Sequence, residues 1–251
     1  MAISLADITS GKVKRPPFGI IYGKGKIGKS TFCAKAPKPI FIPTEDGTNF
    51  LDVDRFPLVK TYEEVLECIK LLGTGEHEFK TVVLDSLDHL EPMVHDYIQR
   101  KTGLPLEKIG GGFYRWRATA REAWADILGG LSKLNERKGM GVMLIAHYKV
   151  KDFADPRTDT YSRIMLKLDD SAAGYLSEVV DFIGFADSDV KAVGTNDDDR
   201  KRGVATGDRK LFLVETPAFD AGNRMGLPAS VPLDFDAFAD AWKQTTQPTP
   251  A

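Results

Sequence analysis

One short run constrains this chain more than any other: Gly23, Lys24, Gly25, Lys26, Ile27, Gly28, Lys29, Ser30 and Thr31. It satisfies G-x-x-x-x-G-K-[ST], in which glycines let backbone N–H groups turn inward around phosphate oxygens. Such a loop needs a strand entering it and a helix leaving it. Residues 18–22 form an apolar run suited to that strand, and residues 29–35 suit the helix. In that setting Lys29 reaches the β- and γ-phosphates, and the Ser30 hydroxyl faces a Mg²⁺ ion. ATP and Mg²⁺ are therefore the expected cofactors.

A chain of 251 residues, 42% hydrophobic and 28% charged, suits one α/β domain with a sizeable core. Its formal net charge of −2 excludes a generally basic nucleic-acid coat, so such binding must come from local patches. Cys33 and Cys68 lack C-x-x-C spacing, which fits a reducing compartment and makes no zinc site. No stretch approaches the ~18 apolar residues of a membrane span, and the N-terminus lacks an apolar leader. A cytoplasmic protein with no membrane partner is the expectation.

Three parts are expected along the chain: a flexible arm over 1–17, an ATPase domain over 18–243 and a disordered tail over 244–251. Within the domain, strands are predicted at 39–43, 80–85, 141–146, 179–186 and 210–215. Helices are predicted at 62–72, 87–101 and 114–137. Residues 149–170 read as a polar loop, and 197–202 as a solvated hairpin tip. This alternation implies a mostly parallel sheet flanked by helices, with the ligand at the strands' C-terminal ends. The last two strands have no helix between them, so an antiparallel C-terminal edge is expected.

The residues for chemistry follow from those strand ends. Asp85 closes an apolar strand in the manner of a Walker B acid and would share the Mg²⁺ with Ser30. Ser86 suits the N-cap of the next helix. Glu45, after the second strand, is the candidate to polarise the attacking water, with Asp46 as its competitor. His147 ends the strand 141–146, where a polar side chain can sense the γ-phosphate. No second His or Cys stands at ligand spacing from it, so spacing supports no metal beyond Mg²⁺.

The phosphate loop, Thr44-Glu45-Asp46-Gly47, Val83-Leu84-Asp85-Ser86 and Ile145-Ala146-His147 together resemble the RecA-type ATPase core. More narrowly, they are similar to compact AAA-type ATP-binding proteins of bacteriophages, some of which are RecA-like single-strand annealing proteins. That resemblance covers residues 18–228 and implies a RecA-like fold and ATP hydrolysis. It also implies a homo-oligomeric ring or filament, single-stranded DNA as partner, a single-strand-binding protein as further candidate partner, and host cytoplasm as location. Lys29, Glu45, Asp85, His147 and Arg224 are its implied catalytic set. Gly222-Asn223-Arg224-Met225-Gly226 is similar to the Lys-Asn-Arg-Phe-Gly motif of the RadA branch, in which basic residues reach a neighbouring subunit's nucleotide. Gly222 stands where that motif has Lys, so only Arg224 can carry the role.

For DNA, the stretch 98–121 carries Arg100, Lys101, Lys108, Arg115, Arg117 and Arg121 against one acid, Glu107. Phe113, Tyr114 and Trp116 are interleaved just after a triple glycine. Cations for phosphates and aromatic faces for stacking are what single-strand binding needs. Core packing of Trp116 and Trp124, with the arginines on a solvated face, is the competing reading. A second basic stretch holds Lys149, Lys151, Arg157, Arg163 and Lys167, directly after His147.

The reading adopted is a DNA-stimulated, oligomeric ATPase of recombination or strand annealing. A partition-type ATPase, a small-molecule kinase and a non-catalytic module that assembles on ATP are the alternatives. The partition-type loop K-G-G-x-G-K-[ST] is matched at Lys24 and Gly25, but Lys26 replaces its second glycine.

Overall fold

In this chain, buried apolar strands alternate with one-sided helices, which fixes a sheet covered on both faces. The structure is a computed structural model that describes residues 4, 5, 8, 10, 11, 15–156, 158–193 and 202–246 of 251. The elements are β1 (Phe18–Gly23), α1 (Lys29–Ala34), β2 (Pro39–Pro43), β3 (Asp54–Arg55), α2 (Tyr62–Thr74), β4 (Thr81–Asp85) and α3 (Leu87–Thr102). A 3-10 turn over Leu106–Gly111 precedes α4 (Trp116–Lys138) and β5 (Gly141–Ala146). Then come β6 (Tyr148–Phe153), β7 (Tyr161–Leu166), α5 (Asp170–Val179), β8 (Phe182–Val193) and β9 (Arg202–Phe212). Last are β10 (Gly222–Asn223), β11 (Ser230–Pro232) and α6 (Phe235–Thr246).

The main sheet runs β11-β9-β8-β1-β5-β4-β2-β3, with β10 added beside β8. From β8 to β3 the pairing is parallel, and β9, β10 and β11 join antiparallel. The mostly parallel sheet and its antiparallel C-terminal edge are therefore both present.

Period-2 alternation splits each central strand between two cores. Ile20, Tyr22, Ile42, Leu84 and Leu144 face the helices α2–α5, where Trp124, Ile127 and Leu131 pack on them. Ile21, Phe41, Val83 and Ile145 face α1 and α6. There the Phe32 ring meets Phe235 and Phe238 edge-on at 5.4 and 5.8 Å. Each such buried side chain contributes about 1.5–3 kcal/mol. Helix α2 starts where Thr61 and Glu64 form a reciprocal capping box, and it buries Val65, Cys68, Ile69 and Leu72.

Several elements depart from expectation. Residues 149–170 are no open loop: β6 and β7 form an antiparallel hairpin, and α5 begins at Asp170. Phe153 and Tyr161 pack across that hairpin at 5.7 Å, and Ile164 and Leu166 turn toward the core. The Asp169 side chain accepts a hydrogen bond from the Ser171 N–H and starts α5. Strand β8 begins at Phe182 rather than residue 179, because that helix runs to Val179. The expected hairpin tip at 197–202 lies outside the described residues except for Arg202. Helix α6 was not anticipated, and it takes in residues 244–246 of the expected tail.

Candidate functional site

The C-terminal ends of β1, β2, β4 and β5 converge on one crevice, and the chemistry gathers there. β1 ends at Gly23, where a Cβ would lie 2.2 Å from the Ala186 carbonyl oxygen, so the close approach of the two strands admits only glycine. Gly28 holds φ at +114°, a conformation that favours glycine, and this turns the loop into α1. At the first position of α1, Lys29 is buried and folds back over the loop. Its ammonium donates to the carbonyls of Gly23 at 3.1 Å and Lys24 at 2.9 Å. Burial lowers the Lys29 pKa, and the nearby acids Asp85, Glu45 and Asp88 oppose that shift.

The Ser30 hydroxyl donates to Asp85 Oδ2 at 2.7 Å. Asp85 is 2% exposed, and burial pushes its carboxyl up while the Ser30 hydrogen bond and the Lys29 charge pull it down. A part-buried hydroxyl–carboxylate pair beside an inward lysine fits Mg²⁺ and a nucleotide phosphate.

Strand ends around this pair are locked to each other. The Thr44 N–H donates to the Asp85 carbonyl at 2.7 Å, and Thr44 Oγ1 accepts from the Ser86 N–H at 2.7 Å. Ser86 occupies the N-cap position of α3 but makes no side-chain cap; its Oγ contacts His89 Nδ1 at 2.9 Å instead. Glu45 Oε2 lies 3.5 Å from His89 Nδ1, whereas exposed Asp46 accepts from Asn49 at 2.6 Å.

His147 is held twice by Asp88. Its N–H donates to Oδ1 at 2.9 Å, and its Nδ1 lies 3.0 Å from Oδ2. Burial would raise the Asp88 carboxyl, but the hydrogen bonds from His147 outweigh it and hold the group well below the usual range. Glu45, His89 and His147 thus meet, one ligand atom of each lying within 4.8 Å of the other two, a proximity that their spacing along the chain does not reveal. Asp88 and His89 were missed because they sit one helical turn beyond Asp85, and only the fold turns them back to the crevice. Arg209 on β9 was also missed; it donates to the Ile27 carbonyl at 2.9 Å and props the loop from the side.

A family pattern for an AAA domain matches residues 15–225, which takes in this whole crevice. The chain belongs to that AAA domain family. It is also 25% identical over 134 residues to the SPbeta prophage-derived uncharacterized protein YorG of Bacillus subtilis (strain 168). That alignment spans 51% of this chain and 39% of the length of that relative. Among solved structures, the RadB recombinase is similar at 16% identity and a TM-score of 0.46, over 79% of this chain and 80% of that one. Membership in a P-loop ATPase family agrees with the Lys29–Ser30–Asp85 arrangement and makes this AAA domain a nucleotide-binding one.

The other candidates in this AAA domain are spread more widely. Arg224 follows β10, which pairs with the first residues of β8, at the opposite end of the sheet from its own phosphate loop. Its guanidinium donates to the Glu178 carbonyl at 2.9 Å. Lys149 and Lys151 leave the crevice on β6 and both pair with Asp170. Arg163 is buried against Glu215 and Asp220, which makes it structural. Arg157 lies outside the described residues. Among the described residues, no helix is long and apolar enough to cross a membrane.

At the start of α4 the chain is unusual. Gly110, Gly111, Gly112, Phe113 and Tyr114 hold φ of 68°, 87°, 88°, 53° and 59° in succession. Phe113 is 92% exposed and Tyr114 68%. Trp116 instead turns inward, edge-on to His95 at 4.9 Å. Arg117 is committed to Asp169 at 2.7 Å and lies over the Tyr114 ring at 4.8 Å. Arg121 lies over Tyr175 at 4.5 Å and 3.7 Å from Glu178. Lys108 and Arg115 are exposed, with Arg115 reaching the Gly110 carbonyl at 3.3 Å.

Proposed function

We propose that this chain is a RecA-like, phage-encoded ATPase of the host cytoplasm that binds single-stranded DNA and promotes homologous recombination or strand annealing. One observation carries the DNA part of that reading. Exposed Phe113 and Tyr114 project from a strained loop beside Lys108 and Arg115, and the Arg117–Asp169 pair ties that loop to the segment leaving the β6–β7 hairpin. The hairpin starts directly after His147, so a change at the γ-phosphate has a short route to both surfaces. Non-glycine residues at positive φ cost about 1–2 kcal/mol each, and such strain gathers at ligand-binding sites.

On this reading Lys29 swings from the carbonyls of Gly23 and Lys24 to the β- and γ-phosphates. Ser30 and Asp85 would hold a magnesium ion, which would supply charge neutralisation to the phosphate oxygens. Glu45 takes the proton of the attacking water, and His147 contacts the γ-phosphate edge with its ring fixed by Asp88. Arg224 is too far from its own crevice to act there, so it serves a neighbouring subunit in a homo-oligomer.

The test is ATP turnover with no DNA, with a single strand and with a duplex. Single-strand stimulation is the expected result. Stimulation by duplex alone would favour the partition-type alternative, and equal rates without DNA binding would overturn the DNA reading. Mixing Lys29→Ala with Arg224→Ala subunits should restore some turnover if Arg224 acts across the interface.

A further inference from the structure

We propose that Glu45, His89 and His147 form a binding site for a borderline divalent metal ion of the Zn²⁺ class, distinct from the Ser30–Asp85 magnesium pair. One ligand atom from each of the three side chains lies within 4.8 Å of the other two. Two imidazoles and one carboxylate are the donor set of open, three-ligand zinc sites, in which a fourth position is left for water or substrate oxygen. Magnesium prefers oxygen donors, so nitrogen from His89 and His147 selects against the ion held by Ser30 and Asp85.

A second, independent feature supports the assignment. Buried Asp88 takes up the Nδ1 edge of His147, the outer-shell arrangement that fixes a ligating histidine's tautomer and orientation. The opposite edge then faces the phosphate loop: His147 Nε2 lies 3.9 Å from where a Cβ on Gly25 would stand. Entry is open, since the His89 side chain is 46% exposed and those of Glu45 and His147 are each 25% exposed. Cys33 and Cys68 are both buried and offer no competing surface thiol.

A consequence rests on the ATPase reading above. An ion on Glu45 occupies the carboxylate that would accept the water's proton, so zinc should act as a brake on Mg²⁺-supported hydrolysis.

The test begins on the full chain without nucleotide, titrated with Co²⁺ and followed by its visible d–d absorption. Saturable binding that Zn²⁺ displaces is expected. His89→Ala and Glu45→Gln should each weaken Co²⁺ binding roughly tenfold or more, while His95→Ala leaves it unchanged. His89 is half exposed, so its replacement should keep the fold, which circular dichroism can check. A folded His89→Ala protein that binds Co²⁺ as the wild type does, or a wild type that binds none, would overturn the site. The second measurement is ATP turnover in excess Mg²⁺ with added Zn²⁺, where wild type should slow and His89→Ala should resist. Co²⁺ binding in a protein that never hydrolyses ATP would keep the metal site and sink the ATPase reading. Hydrolysis without Co²⁺ binding would do the reverse.

Discussion

Asp85, Ser86, Thr44 and Lys29 are all buried and each is held by hydrogen bonds, Lys29 to the loop carbonyls and the others among the strand ends, whereas Phe113 and Tyr114 stand in solvent on a backbone held at positive φ. Both regions carry charge, yet they are built in opposite ways. At the crevice, groups are fixed before a ligand arrives, which suits chemistry that needs donors and acceptors already in place. At the start of α4, exposed rings follow three glycines, the arrangement that the proposed function reads as a surface for a flexible polymer. On the proposed reading, the contrast teaches that charge alone does not separate a reaction centre from a docking loop; burial and pairing do.

Breaking the crevice should produce the largest effect. Glu45→Gln keeps shape but loses proton affinity, so turnover should fall roughly 10²–10⁴-fold with nucleotide affinity retained. Single-turnover kinetics and a nucleotide-binding titration check this together. A normal Glu45→Gln with a crippled Asp46→Asn would move the base to Asp46, despite its contact with Asn49.

Lys29→Ala comes next. It removes a charge-assisted phosphate contact of about 1.5–3 kcal/mol, so nucleotide affinity should drop by one to two orders of magnitude. Calorimetric titration reads it, and unchanged affinity in a folded variant would remove Lys29 from the site.

The loop before α4 should answer in two directions at once. Phe113→Gly relieves a positive φ worth about 1–2 kcal/mol and adds about 0.5–1 kcal/mol of chain entropy cost. A small net gain in stability is expected, seen as a higher thermal midpoint. Single-strand affinity should fall in the same variant, by about 1–3 kcal/mol if one base stacks on that ring. Stability lost and affinity kept would make Phe113 an ordinary packing residue, and the contrast between the two regions would fail.

How much of this was legible beforehand follows from which interactions are local. The phosphate loop, β2 and β5 were readable to the residue because glycine spacing and buried apolar runs are local signals. The β6–β7 hairpin was hidden by charge: Lys149, Lys151 and Asp152 look like loop, and the pairing that makes them strand comes from Ser162 and its neighbours. Helix α6 carried Phe235, Phe238, Ala239 and Trp242 at helical spacing behind Asp234, a pattern outweighed by a polar tail next to it. In the crevice, Asp85 and Glu45 were legible as strand ends. His89, Asp88 and Arg209 were not, since 59 residues separate His147 from Asp88 and 182 separate Ile27 from Arg209 along the chain. In the loop, sequence could count arginines but not tell a paired one from a free-facing one.

That last distinction gives the finest test. Arg115 and Arg117 look equivalent in sequence, two cations two residues apart beside Trp116. In the fold Arg117 is half-buried against Asp169 and Tyr114, while Arg115 is exposed and reaches only a backbone carbonyl. A phosphate contact on a single strand contributes ~0.7 to the slope of log K against log[salt]. Arg115→Ala should therefore flatten that slope by ~0.7 and leave the thermal midpoint alone. Arg117→Ala should change the slope less and the midpoint more, because it leaves the Asp169 carboxylate at the start of α5 without its cationic partner. Fluorescence titrations at several salt concentrations, beside thermal melts, separate the two. Equal slopes and equal midpoints for both variants would mean that pairing does not sort the loop's charges, and DNA contact would then have to be sought on the β6–β7 hairpin at Lys149 and Lys151.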